Sequence, residues 1–215
     1  MKQRKKALDN KYEALSGPTK KLILIRHGES QGQAAKSNGL NRKRDASLRD
    51  ADLTGKGIKQ AKNIRDHMPI EEVDLVIVSP LTRALRTALL GFASADVPFV
   101  VHYDIREMGS AIPENLPRPT DDVKKTLADC PGLDGVDFES FRSPSWPEVE
   151  VSAPKSDRLR EFLKFVGTRS ESTIAVVCHF NVIDMLLRPT GSQIKPVNAL
   201  PIHCVIDSKG NLRLE

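Results

Sequence analysis

The chain has 215 residues, of which 39% are hydrophobic and 28% charged, and its formal net charge is +5. A chain of this length can close one substantial core, and its composition is that of a folded α/β protein rather than of a disordered one. The longest apolar runs reach only about six residues, whereas a membrane-spanning helix needs about 20, so no segment is predicted to cross a bilayer.

The positive charge does not by itself indicate a nucleic-acid partner. Only 5% of the residues are aromatic, with one Trp and two Tyr, so few side chains can stack on unpaired bases. No helix-turn-helix, RNP or zinc-finger pattern occurs. A small anionic substrate accounts for the positive balance equally well, and the sequence leaves the oligomeric state open.

The cysteines and the motif spacings argue against a resident metal or cofactor. Cys130, Cys178 and Cys204 are odd in number and show no C-x-x-C spacing, which favours neither a disulfide framework nor a zinc site. Metal-binding and P-loop motifs such as H-E-x-x-H and G-x-x-x-x-G-K-[ST] are also missing. We therefore expect no metal, no cofactor and a reducing cytoplasmic setting.

The predicted elements begin after a basic N-terminal tail, residues 1–19, and residues 20–215 are interpreted as one domain. Short apolar runs of the kind that form buried strands occur four times, at 22–25, 75–78, 99–101 and 174–177. Helical apolar patterns follow Thr54, Ser79 and His179, and a further one spans Leu159 to Val166. Ser79 is predicted as the N-cap of the second of these helices, with Pro80 as its first residue.

Strands that alternate with helices predict a three-layer α/β/α sandwich with a mostly parallel central sheet. Residues 110–155 interrupt this rhythm, because they contain seven prolines, several acidic residues and one modest helical stretch near Val123 to Leu127. The segment is predicted to be a cap or flap insertion rather than a separate domain.

Polar residues suited to phosphoryl chemistry follow the predicted strands directly. Arg26 and His27 come after the first strand, at the carboxyl end where open α/β sheets bind ligands. Gly28 allows the backbone to approach a ligand, and an arginine can clamp two phosphoryl oxygens. On its own, a loop histidine that happens to adjoin an arginine explains this feature as well.

The other strand ends add compatible side chains. Arg83 lies in the first turn of a helix, where free N–H groups already favour an anion, whereas Arg86 is interpreted as solvated. His179 ends the 174–177 strand, where a cationic imidazole would face the phosphoryl group opposite His27, although a buried structural histidine fits equally well. Glu107 offers a carboxyl group that could protonate a leaving oxygen.

Taken in order, these segments resemble the histidine-phosphatase superfamily, also called phosphoglycerate-mutase-like, over about residues 20 to 210. The matching segments are Arg26-His27-Gly28-Glu29-Ser30, Leu53-Thr54-x-x-Gly57-x-x-Gln60-Ala61, Ser79-Pro80-Leu81-x-Arg83-Ala84-x-x-Thr87, Arg106-Glu107, and His179 with Leu186-Leu187.

The resemblance implies that His27 is phosphorylated, that Arg26, Arg83 and His179 bind the phosphoryl oxygens, and that Glu107 donates the proton. It further suggests Ser30, Gln33 and Asn181 as substrate-binding residues. Gln33 stands where the family often has Asn, and Phe180 and Asn181 stand where small residues are usual. The basic stretch Asn41-Arg42-Lys43-Arg44, with Arg49, is interpreted as a solvated loop, with a selectivity patch for a multiply anionic substrate as the alternative.

The resemblance favours hydrolysis of phosphate monoesters over mutase chemistry. Cofactor-dependent phosphoglycerate mutases carry a substrate-binding segment after the catalytic glutamate, and Met108-Gly109-Ser110-Ala111-Ile112-Pro113 does not match it. Mutase-type phosphotransfer and a non-catalytic module that binds phosphorylated ligands remain the alternatives.

Overall fold

A seven-stranded mixed sheet organises the chain in the computed structural model, which describes residues 19–109, 112–138 and 155–215. The strands are β1 (Lys20–Arg26), β2 (Leu75–Val78), β3 (Phe99–Val101), β4 (Val136–Asp137), β5 (Thr173–Cys178), β6 (Pro201–Ile206) and β7 (Leu212–Leu214). Their order across the sheet is β4-β3-β2-β5-β1-β6-β7.

Six α-helices connect or flank these strands within the described residues. They are α1 (Gln31–Ser37), α2 (Gly55–Lys62), α3 (Thr82–Gly91), α4 (Thr120–Thr126), α5 (Lys155–Thr168) and α6 (Phe180–Leu187). None of the helices in the described part of the chain is long and apolar enough to cross a membrane.

The two faces of the sheet pack against separate helical layers. The side chains of Ile23 and Ile25 lie in one buried cluster with residues of α3 and α4, and those of Leu22 and Leu24 lie in a second cluster with residues of α5 and α6. A strand covered on both faces needs apolar residues at every position, which explains its unbroken apolar run. The predicted three-layer sandwich is confirmed.

The four predicted strands are all present, and the pairings β1–β5, β5–β2, β2–β3 and β3–β4 are parallel. The C-terminal strands β6 and β7 were not predicted, and they add an antiparallel edge beside β1. Burial in β6 is partial, and His203 is exposed within it, so its sequence does not read as a buried strand.

The predicted N-cap of α3 is wrong. The helix begins at Thr82, and its backbone N–H donates to Asp50 Oδ1 at 2.9 Å. Ser79 does not cap it, because the serine hydroxyl is hydrogen-bonded to the imidazole of His179 at 2.7 Å. A carboxylate distant in sequence therefore accepts a hydrogen bond from a backbone N–H that the start of the helix leaves without an intrahelical partner.

The described part of the predicted cap segment packs on the main core. Val123, Leu127 and Phe138 belong to the same buried cluster as α3, and β4 pairs with β3. Residues 1–18, 110, 111 and 139–154 lie outside the described residues. The division into a tail, one domain and an inserted cap remains a prediction.

Candidate active site

Strand register brings the two predicted histidines together. Arg26 at the end of β1 pairs with Cys178 at the end of the parallel neighbour β5, so the residues that follow, His27 and His179, emerge side by side. Their ring centroids are 5.1 Å apart, with 59° between the ring planes. The His27 backbone N–H also donates to the Cys178 carbonyl at 2.9 Å.

Hydrogen bonds define the tautomer of His27. Its Nδ1 lies 2.6 Å from the carbonyl oxygen of Gly28, which can only accept, so Nδ1 carries the proton. Nε2 then presents a lone pair, which accepts from Nε of Arg83 at 3.2 Å. Burial, and next the charge of Arg83, hold the pKa of His27 well below its usual value. The imidazole is therefore neutral and nucleophilic at Nε2 near pH 7.

Arg83 is 2% exposed and is held from several sides. One Nη donates to the backbone carbonyl of Glu114, and the other donates to Oδ1 of Asn115 at 2.9 Å. Both acceptors are uncharged, so neither hydrogen bond pairs the guanidinium with a carboxylate. Burial lowers the pKa of Arg83, but an arginine starts so high that it stays protonated.

His179 is fully buried, and burial followed by the charge of Arg83 holds its pKa well below its usual value. The expectation of a cationic imidazole is therefore corrected: the ring is neutral until an anion beside it raises its pKa. Its Nε2 contacts Oγ of Ser79, and its Nδ1 is buried without a hydrogen-bond partner among the described residues.

Arg26 lies across the pocket wall from these groups. Its guanidinium carbon is 5.1 Å from the centroid of the Phe180 ring, a cation–π distance, and Nη1 donates to the carbonyl of Pro196 at 3.1 Å. The Nε atom is buried and has no partner within the described chain. The bulky Phe180 therefore lines the pocket together with the arginine that it contacts.

Glu107 reaches the same pocket from the turn that follows β3. Burial raises the pKa of this carboxyl group, and hydrogen bonding by Met108 and Asn181 together with the charge of Arg83 offsets only part of that effect. A carboxyl group with a raised pKa stays protonated to higher pH and can act as a general acid.

These side chains surround one pocket of about 580 Å³. The lining residues are Arg26, His27, Ser30, Gln33, Lys36, Ser37, Arg42, Arg83, Glu107, Met108, Ile112, Glu114, Asn115, Phe180 and Asn181. Of the predicted site residues, His179 alone is missing from this lining, although its ring centroid lies 5.1 Å from that of His27.

Ser30 and Gln33 reach the pocket but also hold the start of α1. The Ser30 hydroxyl accepts from the Gln33 backbone N–H, and the Gln33 side-chain oxygen accepts from the Ser30 backbone N–H, both at 3.2 Å. The same amide exchanges hydrogen bonds with Asn198, whose Nδ2 also donates to the His27 carbonyl at 2.6 Å. Asn198 was missed, since it stands in a loop with no motif around it.

Glu114 and Asn115 were also missed, and both come from the predicted cap segment. Asn115 accepts from Arg83 and donates to the carbonyls of Met108 and Gly109, so one amide links the arginine to the turn bearing Glu107. The carboxylate of Glu114 pairs with Arg42 at the pocket wall.

Two predictions about arginines are wrong. Arg42 lines the pocket instead of lying in a solvated loop, although Lys43 and Arg44 beside it are exposed. Arg86 is 7% exposed and donates to the carboxylates of Asp52 and Asp129. Local periodicity predicts neither outcome, because the residues that contact Arg42 and Arg86 are distant from them in sequence.

A close backbone contact fixes the loop that carries His27. Gly28 packs against Gly57 of α2, where an added Cβ would lie 2.5 Å from the Gly57 carbonyl oxygen. The Gly28 N–H donates to the hydroxyl of Thr87 at 3.0 Å, and the Glu29 N–H donates to the side chain of Gln60 at 2.8 Å. The matched motif glycines therefore serve a packing role that positions the histidine.

Comparison with known proteins identifies the family. The family model of the histidine phosphatase superfamily, branch 1, matches residues 22–203. The chain is 26% identical over 206 residues to "Phosphoglycerate mutase-like protein" of Arabidopsis thaliana, covering 80% of this chain and 75% of that one. It is 28% identical over 178 residues to a Schizosaccharomyces pombe protein named "Probable phosphatase", covering 77% and 76%.

A solved structure agrees at the level of the fold. The alpha-ribazole phosphatase of Shigella flexneri superimposes with a TM-score of 0.57 at 22% identity, covering 91% of this chain and 94% of that one. The family match spans most of the chain and includes β2 to β5 and most of β1. The chain therefore belongs to the histidine phosphatase superfamily, branch 1.

Proposed function

We propose that this protein hydrolyses phosphate monoesters through a covalent phosphohistidine on Nε2 of His27, with Glu107 as the proton donor. Family membership and the phosphatase names among its relatives support hydrolysis of this bond. The roles of the individual residues are those that the resemblance to the family implies, and the geometry of the site supports them.

One observation carries the assignment of the nucleophile. The Gly28 carbonyl requires a proton on Nδ1 of His27, so the lone pair stands on Nε2, which faces Arg83 in the pocket. A neutral imidazole held in one tautomer needs no base to activate it before it attacks phosphorus. A positive group beside the attacking atom then stabilises the charge that develops on the phosphoryl oxygens.

The first step transfers the phosphoryl group to the histidine. Nε2 of His27 forms a bond to phosphorus while the bond between phosphorus and the ester oxygen breaks. Glu107 gives its proton to the departing oxygen, which leaves as an alcohol. Arg26, Arg83 and His179 hold the three non-bridging oxygens.

The second step returns the enzyme to its starting state. A water molecule gives a proton to the Glu107 carboxylate and attacks phosphorus, the bond to Nε2 breaks, and inorganic phosphate leaves. Glu107 thereby regains the proton it lost, and His27 regains its lone pair. Both steps use residues of the pocket lining together with His179, whose ring packs beside that of His27.

We infer in addition that the preferred substrates carry a second anionic group. The pocket extends from His27 outward to Lys36 and Arg42, so its mouth is basic as well as its floor. Glu114 holds Arg42 in place through one oxygen, and Gly32 leaves the space for that carboxylate, because a Cβ there would lie 1.6 Å from Oε2. One ion pair leaves other guanidinium N–H donors of Arg42 for a ligand.

The test of the reaction is hydrolysis of an aryl phosphate with a chelator present, followed by trapping of the intermediate. We expect turnover by the wild type, none by His27→Ala, and normal turnover by His67→Ala, which removes an exposed histidine. Binding without turnover would support the non-catalytic alternative. Isomerisation of a phosphoglycerate primed by its bisphosphate would support a mutase instead.

A cytoplasmic setting also remains part of this proposal. Its support is that all three cysteines are buried free thiols. Structural disulfides are rare in reducing compartments, whereas unpaired buried cysteines are common there. Localisation of the tagged chain in its own cells tests this directly.

A further inference from the structure

A buried serine, Ser79, is hydrogen-bonded to the second histidine of the site, His179. Ser79 follows β2 and His179 follows β5, and the two strands are parallel neighbours with Val78 opposite Val177. The Ser79 backbone N–H donates to the Val177 carbonyl at 3.0 Å, which fixes the serine against β5. Its Oγ lies 2.7 Å from Nε2 of His179, and both residues are 0% exposed.

The opposite nitrogen of the same ring has no partner. Nδ1 of His179 is buried and forms no hydrogen bond within the described part of the chain, although its ring packs 5.1 Å from that of His27. Buried polar atoms are nearly always hydrogen-bonded, so an orphan of this kind beside a nucleophile indicates a ligand atom.

We propose that Ser79 is a positioning residue, which sets the tautomer of His179 so that Nδ1 carries the proton and donates to a phosphoryl oxygen. This inference rests on the proposed function, because it assumes a phosphoryl group beside His27. Among the described residues, the other contact of the serine hydroxyl is the Leu81 N–H, which is a donor, so Nε2 is the acceptor open to the hydroxyl hydrogen. The hydroxyl therefore donates to Nε2, which leaves the hydrogen of the neutral ring on Nδ1. The reverse arrangement would turn a lone pair toward the phosphoryl oxygens and repel them.

A hydroxyl group suits this position because it can reverse its role. When an anion raises the pKa of His179 and the ring gains a second proton, the same Oγ accepts from Nε2–H. Among the described residues, the hydroxyl has one further contact, a long one of 3.4 Å, in which the Leu81 backbone N–H donates to it. Alanine can fill neither role, so Ser79→Ala should leave the tautomer of His179 unspecified.

The direct test is ¹⁵N NMR of protein labelled at histidine, recorded with and without inorganic phosphate. We expect His179 to show a protonated Nδ1 and an unprotonated Nε2 in the free protein, with Nδ1 remaining protonated when phosphate binds. An Nε2–H tautomer with a bare Nδ1 in the presence of phosphate would overturn the proposal. This measurement needs no variant and no turnover, so it is independent of whether hydrolysis occurs.

Kinetics of Ser79→Ala provide the second readout. Losing one oriented donor in a charged site costs about a hundredfold to a thousandfold in kcat, and a mispositioned donor should cost less, roughly tenfold to a hundredfold. The matched control is Thr82→Val, which removes a buried hydroxyl of the same turn that contacts Asp50 and Arg118 rather than an imidazole. If both variants lose activity equally and both keep the His179 tautomer of the wild type, Ser79 has a structural role only.

Discussion

Replacing Gly28 by alanine tests whether backbone packing positions the nucleophile. The new Cβ would lie 2.5 Å from the Gly57 carbonyl oxygen and 3.0 Å from its carbon, whereas ordinary contact begins near 3.4 Å. Because both partners are backbone atoms, no side chain can rotate away, and the loop bearing His27 must move by roughly 1 Å. A displacement of that size near reacting atoms can cost about a hundredfold in rate.

Overpacking of this kind also destabilises the fold, typically by about 1 to 3 kcal/mol. For a chain of this size, that corresponds to a fall in Tm of roughly 2 to 12 °C. The assay is kcat with an aryl phosphate, measured well below the Tm of the variant so that unfolding does not contribute.

Gly55→Ala is the matched control for Gly28→Ala. Gly55 is the first residue of α2, and a Cβ there would meet nothing within 4 Å. We expect unchanged kcat and a Tm equal to or slightly above that of the wild type, since alanine favours a helix. Full activity of Gly28→Ala, or equal loss in both variants, would refute the packing argument.

Three further predictions follow from the pocket and from its supporting carboxylates. Glu107→Gln should slow release of the alcohol from an alkyl phosphate in the first turnover by about 10² to 10⁴-fold but change release of the phenol from an aryl phosphate much less, because a good leaving group needs no proton. Equal losses in this first step for both ester types would exclude the acid role. Arg42→Gln should lower kcat/KM for 3-phosphoglycerate by about tenfold or more and leave kcat/KM for glycerol 3-phosphate within about twofold, since only the first substrate carries a carboxylate. Arg44→Gln, which removes a neighbouring exposed charge, should change neither value. An equal effect of both substitutions would indicate general electrostatic attraction of anions rather than a contact with Arg42. Burial raises the pKa of Asp50 to about 6 from 3.8, so the folded state loses stability relative to the unfolded state as the pH rises between those values. Asp50→Asn lacks this loss. Thermal unfolding of both proteins from about pH 4 to pH 7 should therefore show the Tm of the wild type falling relative to that of the variant.

The plot of activity against pH should fall on both its acid and its alkaline side, and a different ionisable group should cause each of these two limbs. Protonation of His27 removes the nucleophile, and its depressed pKa moves this acid limb below the usual range of histidine. Ionisation of Glu107 removes the general acid, and its raised pKa extends activity upward from the usual range of glutamate. In Glu107→Gln the upper limb should disappear, and its persistence would assign that limb to another group.

The sequence predicts the edge of the sheet that holds the candidate site, because the carboxyl ends of parallel strands lie at the same edge. Arg26, His27, Arg83 and His179 each follow a buried strand or begin the next helix, and their convergence depends only on strand order. The fold class was predictable for the same reason: continuous apolar runs separated by helical patterns leave few arrangements. Each of these patterns lies within a short stretch of sequence, and only the contacts between the elements join residues that are distant in sequence.

The remaining parts of the site depend on contacts that no local pattern records. Glu114 and Asn115 lie in a proline-rich segment without periodicity, yet they hold Arg83 and Arg42. Ser79 resembles an N-cap in sequence, but a neighbouring strand places His179 against its hydroxyl. In each case a polar partner from a different element decides the role of the residue.

The central claim is that phosphorus becomes bonded to one nitrogen of His27. The most direct measurement is to mix the enzyme with a ³²P-labelled monoester, quench the reaction rapidly into alkali and map the labelled peptide. We predict an acid-labile, base-stable phosphoryl group on Nε2 of His27, formed and consumed at rates compatible with turnover. Steady hydrolysis with no such adduct, or with the label on another residue, would contradict it.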